Sequence, residues 1–156
     1  MKRYLLTLLT ISICTLIPNT GHTKEPIKVV TTIGQITDIV KIIGGSHVAV
    51  QGLMGAGVDP HLYKASESDV NKLSRADIIF YNGLKLEAKL ENILEKIGRS
   101  KKVVSVTQDM PRDQLLDSLD YPGHYDPHVW FDIPLWSRAA KKIATTLIEF
   151  DPDHSE

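Results

Sequence analysis

Cysteine, aromatic residues and net charge are all scarce in this sequence, and each scarcity narrows what the chain can be. The lone Cys14 lies inside an apolar run at the amino end, so the remainder carries no thiol. Disulfides and thiolate metal sites are both excluded there. Eighteen Lys and Arg against 19 Asp and Glu give a formal charge of −1. No positive excess is available to neutralise a phosphate backbone, which argues against nucleic acid as a partner. No repeat of fixed period and no low-complexity tract occurs. With 42% hydrophobic and 24% charged residues, the composition is that of a packed globular protein. The 156 residues allow one domain of ordinary size. Enzyme signatures are missing as well: there is no Gly-x-Ser-x-Gly elbow and no His-Glu-x-x-His helix. The glycines Gly52, Gly55 and Gly57 lack the Gly-Lys-Ser/Thr ending of a phosphate loop, and the turn after the first apolar segment offers only Gly34.

The amino end has the layout of a secretory signal. Lys2 and Arg3 precede the apolar run Tyr4 to Ile17, and Pro18, Asn19 and Gly21 follow it. That run is diluted by Thr7, Thr10, Ser12 and Thr15 and falls short of the roughly 18 residues expected of a membrane-spanning helix. We read residues 1–23 as a signal peptide, cleaved near Thr23-Lys24, and residues 24–156 as the exported part. Ile13 stands where a lipoprotein would place a small residue before Cys14, so lipid attachment is the weaker reading. Losing Lys2 and Arg3 takes the formal charge from −1 to −3.

From Ile27 onward short apolar runs alternate with helical periodicity, the pattern of strand-helix units around a parallel sheet. Strands are expected at Ile27–Thr32, Val48–Leu53, Asp77–Tyr81 and Val103–Val106. A first helix spans Gln35 to Ile43 and ends at Gly44-Gly45. Ser66 with Asp69, or Ser68 with Asn71, caps a second helix reaching Arg75. Leu86, Leu90, Ile93, Leu94 and Ile97 form the apolar stripe of a third, which Gly98 stops. Trp136, Ala140, Ile143, Ala144 and Leu147 mark a fourth that starts near Asp132 and Pro134. The fold class is α/β, one lobe with about four parallel strands flanked by helices.

Ligands of open parallel sheets bind beyond the carboxyl ends of the strands. After the second strand the chain reads Gly55-Ala56-Gly57-Val58-Asp59-Pro60-His61-Leu62-Tyr63, and after the fourth, beyond a longer insertion, Gly123-His124-Tyr125-Asp126-Pro127-His128-Val129-Trp130. The tripeptide Asp-Pro-His thus occurs twice, each time at a strand end. Proline stiffens both loops and biases the preceding Asp toward extended geometry. On this pattern His61 and His128 are either two ligands of one metal ion or two polar turn residues. Neutral imidazole suits zinc, manganese, iron or copper, and a ligating histidine needs its second ring nitrogen held. Asp59 and Asp126 are placed to do that, or to cap turns. His124 is read as solvated, His47 as a surface residue and His154 as part of the terminal tail. Trp130 and Phe131 are read as core in preference to a shield for a metal. Lys96, Arg99, Lys101 and Lys102 are read as a solvated basic loop.

Taken together, Val30-Thr31-Thr32-Ile33, Asp59-Pro60-His61-Leu62-Tyr63 with Ser66 and Asp69, Ala76-Asp77-Ile78-Ile79-Phe80-Tyr81-Asn82-Gly83-Leu84 with Leu86-Glu87, and Asp126-Pro127-His128-Val129-Trp130-Phe131-Asp132 resemble the amino-terminal lobe of zinc/manganese-type solute-binding proteins of bacterial ABC importers. The resemblance runs from Ile27 to Pro152. It implies that His61 and His128 are two ligands of a transition metal, zinc or manganese, captured in the periplasm and handed to a membrane permease, with no enzymatic activity. It also implies a bilobed protein whose second lobe supplies a third ligand, His or Glu, and a carboxylate. This sequence stops at Asp151-Pro152-Asp153-His154-Ser155-Glu156, where that lobe's connecting helix is expected. The expectation is a truncated or split form that completes its coordination with water, a second copy or a separate carboxy-terminal lobe, and that exposes an apolar face. The His-rich acidic loop of some zinc-specific members is missing from the sequence, which favours manganese or broader specificity. The other readings are a non-transporting interaction or adhesion module, a decayed remnant, and a metal-dependent hydrolase that activates water at the open positions.

Overall fold

The computed structural model describes residues 25–155. The signal-peptide pattern, with Cys14, lies outside the described residues. Four strands, β1 (Ile27–Thr31), β2 (Val48–Gly52), β3 (Ile78–Tyr81) and β4 (Lys102–Ser105), form one parallel sheet in the order β2-β1-β3-β4. Four helices accompany them: α1 (Gly34–Gly44), α2 (Glu67–Arg75), α3 (Glu91–Gly98) and α4 (Ile133–Phe150). The ends expected from sequence continue the ladder beyond the strands proper: Leu53 N–H donates to Thr31 C=O at 2.9 Å and Val106 N–H to Tyr81 C=O at 2.9 Å.

The chain leaves β1 toward one side of the sheet and leaves β3 toward the other. Right-handed crossovers therefore place α1 on one face and α2 and α3 on the opposite one, while α4 packs against α1. The reversal of direction opens a crevice between the carboxyl ends of β1 and β3. These two central strands are the most apolar, as strands covered on both faces must be. Ile78, Ile79 and Phe80 are fully buried, with Val29 and Val30 beside them.

Of the two possible caps for α2, Ser66 with Asp69 is realised as a reciprocal capping box. The start of α4 is as expected, with Asp132 accepting from Leu135 N–H at 2.9 Å. Three details differ from the sequence reading. The apolar stripe from Leu86 is buried, but α3 begins only at Glu91: behind the positive-φ residues Gly83, Leu84 and Lys85 the chain runs through tight turns, with Leu86 N–H donating to Gly83 C=O at 3.1 Å and Leu90 N–H to Glu87 C=O at 2.8 Å. Gly98 has no positive φ, so α3 ends without a left-handed glycine cap. On α4 the buried face is turned by about one residue: Leu135, Ala139, Ile143, Thr146 and Leu147 are buried, while Trp136, Ala140 and Ala144 sit at its margin. Thr146 tolerates burial because its hydroxyl donates to Lys142 C=O at 2.8 Å.

Candidate metal site

The first Asp-Pro-His loop leaves β2 through Leu53 and Met54 and turns at Gly57, whose φ of +79° favours glycine. Asp59 then accepts from the backbone N–H of His61 at 2.9 Å, an Asx turn that fixes the backbone and leaves the ring alone. Two residues on, the Tyr63 hydroxyl donates to Asp69 at 2.7 Å. Burial, followed by the hydrogen bond to Asp69 and its charge, pushes the Tyr63 hydroxyl up to about 12. Burial alone would raise Asp69. Hydrogen bonds from Ser66, Tyr63, the Ser66 backbone and Lys72 outweigh it and hold the carboxyl well below the usual carboxylate range.

The second loop is held differently. A bridge between Asp117 and Tyr125 and a bond from Asp126 N–H to Leu116 C=O at 2.8 Å fold the insertion back on itself. Asp126 Oδ1 accepts from the backbone N–H of His128 at 2.9 Å and also meets its ring Nδ1 at 2.6 Å. That contact occupies Nδ1 and leaves Nε2 as the ring nitrogen that faces His61. The backbone bond, with the ring bond and the neighbouring His128 and His61 charges, lowers the Asp126 carboxyl against the opposing effect of burial.

These supports bring together two histidines 67 residues apart in sequence: His61 Nε2 and His128 Nε2 stand 3.3 Å from each other, with ring centroids 5.3 Å apart and planes at 53°. Two imidazole nitrogens bound at about 2.0–2.1 Å to one tetrahedral zinc stand about 3.3–3.4 Å apart. The spacing of the pair therefore matches a shared ion. Asp126 has taken the ring-holding role and Asp59 only the turn-capping one. Trp130 presents its ring edge-on to His128 at 5.2 Å and is half-buried, so it both packs against the core and walls the pair. Phe131, read as core, is 82% exposed. The short helical turn Val129–Phe131 carries it outward while Val129 takes the core position.

His124 is exposed and lines a separate cavity of about 330 Å³ with Lys85, Arg112 and Tyr125. His47 and His154 lie together elsewhere, their rings stacked. Within the basic loop Lys101 donates to Ala76 C=O, and Arg99 and Lys102 pair with Glu95 and Glu149. Among the described residues no group of three or more His, Cys, Asp or Glu side chains gathers where it could hold a metal ion.

Two further residues act on the site without having been assigned a role from sequence. Asn82, at the carboxyl end of β3, is fully buried, and its Nδ2 donates to Pro127 C=O at 3.0 Å, latching the second loop directly before His128. Its backbone N–H donates to Glu87 at 2.8 Å, and its C=O accepts from the hydroxyls of Ser105 and Thr107. Glu87 is buried and also accepts from Thr32 and from Gly83 N–H. It thereby ties the ends of β1 and β3 to the left-handed turn at Gly83, where a Cβ would sit 2.2 Å from Ser105 Oγ. Burial raises the Glu87 carboxyl, opposed by these hydrogen bonds. The signal available in the sequence was a Glu inside the apolar stripe Leu86–Leu90, together with Asn-Gly directly after an apolar strand.

Residues 29–156 match the family described as zinc-uptake complex component A, periplasmic. The chain is 44% identical over 132 residues to the manganese-binding lipoprotein MntA of Bacillus subtilis, covering 85% of this chain and 43% of that protein. Among solved structures it is similar to the periplasmic zinc-binding protein TroA of Treponema pallidum, with a TM-score of 0.79 and 45% identity over 83% of this chain and 46% of that one. It is also similar to Fe(III)-bound YtgA of Chlamydia trachomatis, with a TM-score of 0.73 and 34% identity over 83% of this chain and 45% of that one. The chain thus spans under half the length of these relatives.

Proposed function

The chain belongs to the zinc-uptake complex component A family of periplasmic proteins, and from that premise we propose that His61 and His128 capture a divalent transition metal, zinc or manganese, outside the cytoplasm for delivery to the permease of an ABC importer. The observation that carries this reading is the 3.3 Å separation of the two Nε2 atoms. The manganese, zinc and iron named for the relatives support a first-row metal as cargo. The protein acts as a binding component and catalyses no reaction. In this reading residues 1–23 are the signal peptide and residues 24–156 the amino-terminal metal-binding lobe.

Two imidazoles fill half of a four-ligand zinc site, so the remaining positions are filled from outside this lobe, by a second lobe or a second copy. The surface around the pair supports coverage by such a partner. Leu62, next to His61, is 65% exposed, and Phe131 and Ile133, just after His128, are 82% and 78% exposed. Large apolar residues left this exposed beside a binding pair are consistent with a surface that a partner covers.

Calorimetric titration of the chain with zinc and with manganese tests the reading. We expect binding that disappears in the His61→Ala/His128→Ala variant. Equal affinity in that variant would refute the assignment of the ligands. For delivery, metal uptake that depends on the permease falls when the gene is removed.

A further inference from the structure

The cavity of about 330 Å³ beyond the carboxyl ends of β3 and β4 has no part in the histidine pair, since neither His61 nor His128 lines it. Open parallel sheets take their ligands at such strand ends, and the volume lies at the lower end of the roughly 300–1,000 Å³ of small-molecule pockets. One wall is strained. Leu84 and Lys85, with φ of +53° and +68°, directly follow the left-handed Gly83, and a bulky side chain such as leucine rarely occupies that region. Backbone held this way gathers at ligand-binding sites. Here it carries Lys85 to the cavity wall, where Glu91 pairs with it at 2.7 Å.

Another wall comes from Arg112 and from the insertion before His128. The bridge to Asp117 fixes Tyr125, and the Arg112 guanidinium lies over its ring, 5.4 Å from the centroid. Stacking engages the flat face of the guanidinium and leaves its N–H edge to hold an anion. Among the described residues no carboxylate pairs with Arg112. The hydroxyls of Ser105 and Thr107, in the same cavity, both donate to Asn82 C=O, at 2.8 and 2.7 Å, so their oxygens remain as acceptors. We propose that this cavity binds a small organic carboxylate bearing a hydroxyl group, its carboxylate on Arg112 and its hydroxyl donating to Ser105 or Thr107. Charge narrows the class: Glu91 offsets Lys85 and leaves the charge of Arg112 over, which suits a single negative charge better than a dianion.

The test titrates lactate into the metal-free chain while backbone and arginine side-chain signals are followed by nuclear magnetic resonance. We expect saturable shifts centred on Arg112 and Tyr125. Acetate, which lacks the hydroxyl, should bind about 5-fold more weakly, the loss of one hydrogen bond, and sulfate should also bind more weakly than lactate. Arg112→Gln should weaken lactate at least about 10-fold, whereas Lys96→Gln, in the exposed basic loop, should leave it unchanged. Shifts that fail to saturate, that survive Arg112→Gln or that fall equally in Lys96→Gln overturn the site. Sulfate or acetate binding as tightly as lactate overturns the class of ligand. Neither a metal ion nor the histidine pair enters the experiment, so it is independent of the metal reading. The lactate titration of the unaltered chain refutes the site by itself if no shift saturates.

Discussion

The tripeptide Asp-Pro-His occurs twice and is supported in two different ways. In the first loop Asp59 touches only the backbone of His61, and the nearest firm anchor is Tyr63 on Asp69, two residues downstream. In the second loop Asp126 grips both the backbone and the ring of His128, and Asn82 latches the carbonyl of the intervening proline. One ring is therefore preorganised and the other adjustable. On the proposed reading, a pair built this way would hold one nitrogen at a fixed point while the second adjusts to ions of different size. Identical local sequence does not give identical local structure, because the difference lies in residues far away in the chain.

The largest effect expected is the loss of either ring. His61→Ala or His128→Ala leaves a single imidazole, and zinc affinity should drop at least about 100-fold in calorimetry for each, which makes the two loops look alike. Replacing the aspartates should then separate them. Asp126→Asn removes the carboxylate that orients His128, and outer partners of this kind are typically worth 10–100-fold in affinity. Asp59→Asn retains an Asx turn and should change affinity less than about 3-fold. Equal losses in the two variants would mean that both rings depend on their aspartates to the same degree, and the contrast between the loops would fail.

The latch from β3 comes next in size. Asn82→Leu keeps the volume but leaves the buried Pro127 carbonyl without its donor, at a cost of about 1–3 kcal/mol in chemical denaturation. Zinc affinity should fall by less than for Asp126→Asn. A stability loss with unchanged affinity would show that Asp126 alone sets the position of His128.

Much of this was legible in the sequence, for identifiable reasons. The strands were visible because the central β1 and β3 are rich in apolar residues, interrupted in β1 only by the exposed Lys28 and the terminal Thr31. The start of α4 was visible because Asp132 and Pro134 are local signals. The two loop histidines stood out by repetition. The start of α3 was not legible, because the turn before it begins at Gly83, whose N–H is held by the Glu87 carboxyl together with Thr32 and Asn82 from two strand ends. The latch of Asn82 on Pro127 spans 45 residues. Likewise, the contact between His47 and His154 exists only once α1 lies on α4. Periodicity reports which face of an element is covered, whereas these contacts are decided by what covers it.

The smallest effect expected concerns the anchor of the first loop and appears as a dependence of stability on pH. The Tyr63 hydroxyl is raised from 10.0 to about 12 in the folded chain. A group whose folded pKa is raised contributes stability that is complete below its unfolded value and is lost as pH climbs through the folded one. Tyr63 therefore stabilises the chain fully below about pH 10, and that contribution drains away between about 10 and 12. Asp69 has the opposite sign: its lowered carboxyl contributes stability above the usual carboxylate range and loses it as the solution is acidified below that range. Tyr63→Phe should flatten the alkaline part of the curve measured by thermal melts across pH and reduce the acid-side dependence without removing it, because Ser66 and Lys72 still hold Asp69. Zinc affinity at neutral pH should hardly move, since the Asx turn at Asp59 still sets the backbone of His61. A clear loss of affinity in Tyr63→Phe would show that the first loop, too, is positioned from a distance, which would erase the difference between the two copies of the motif.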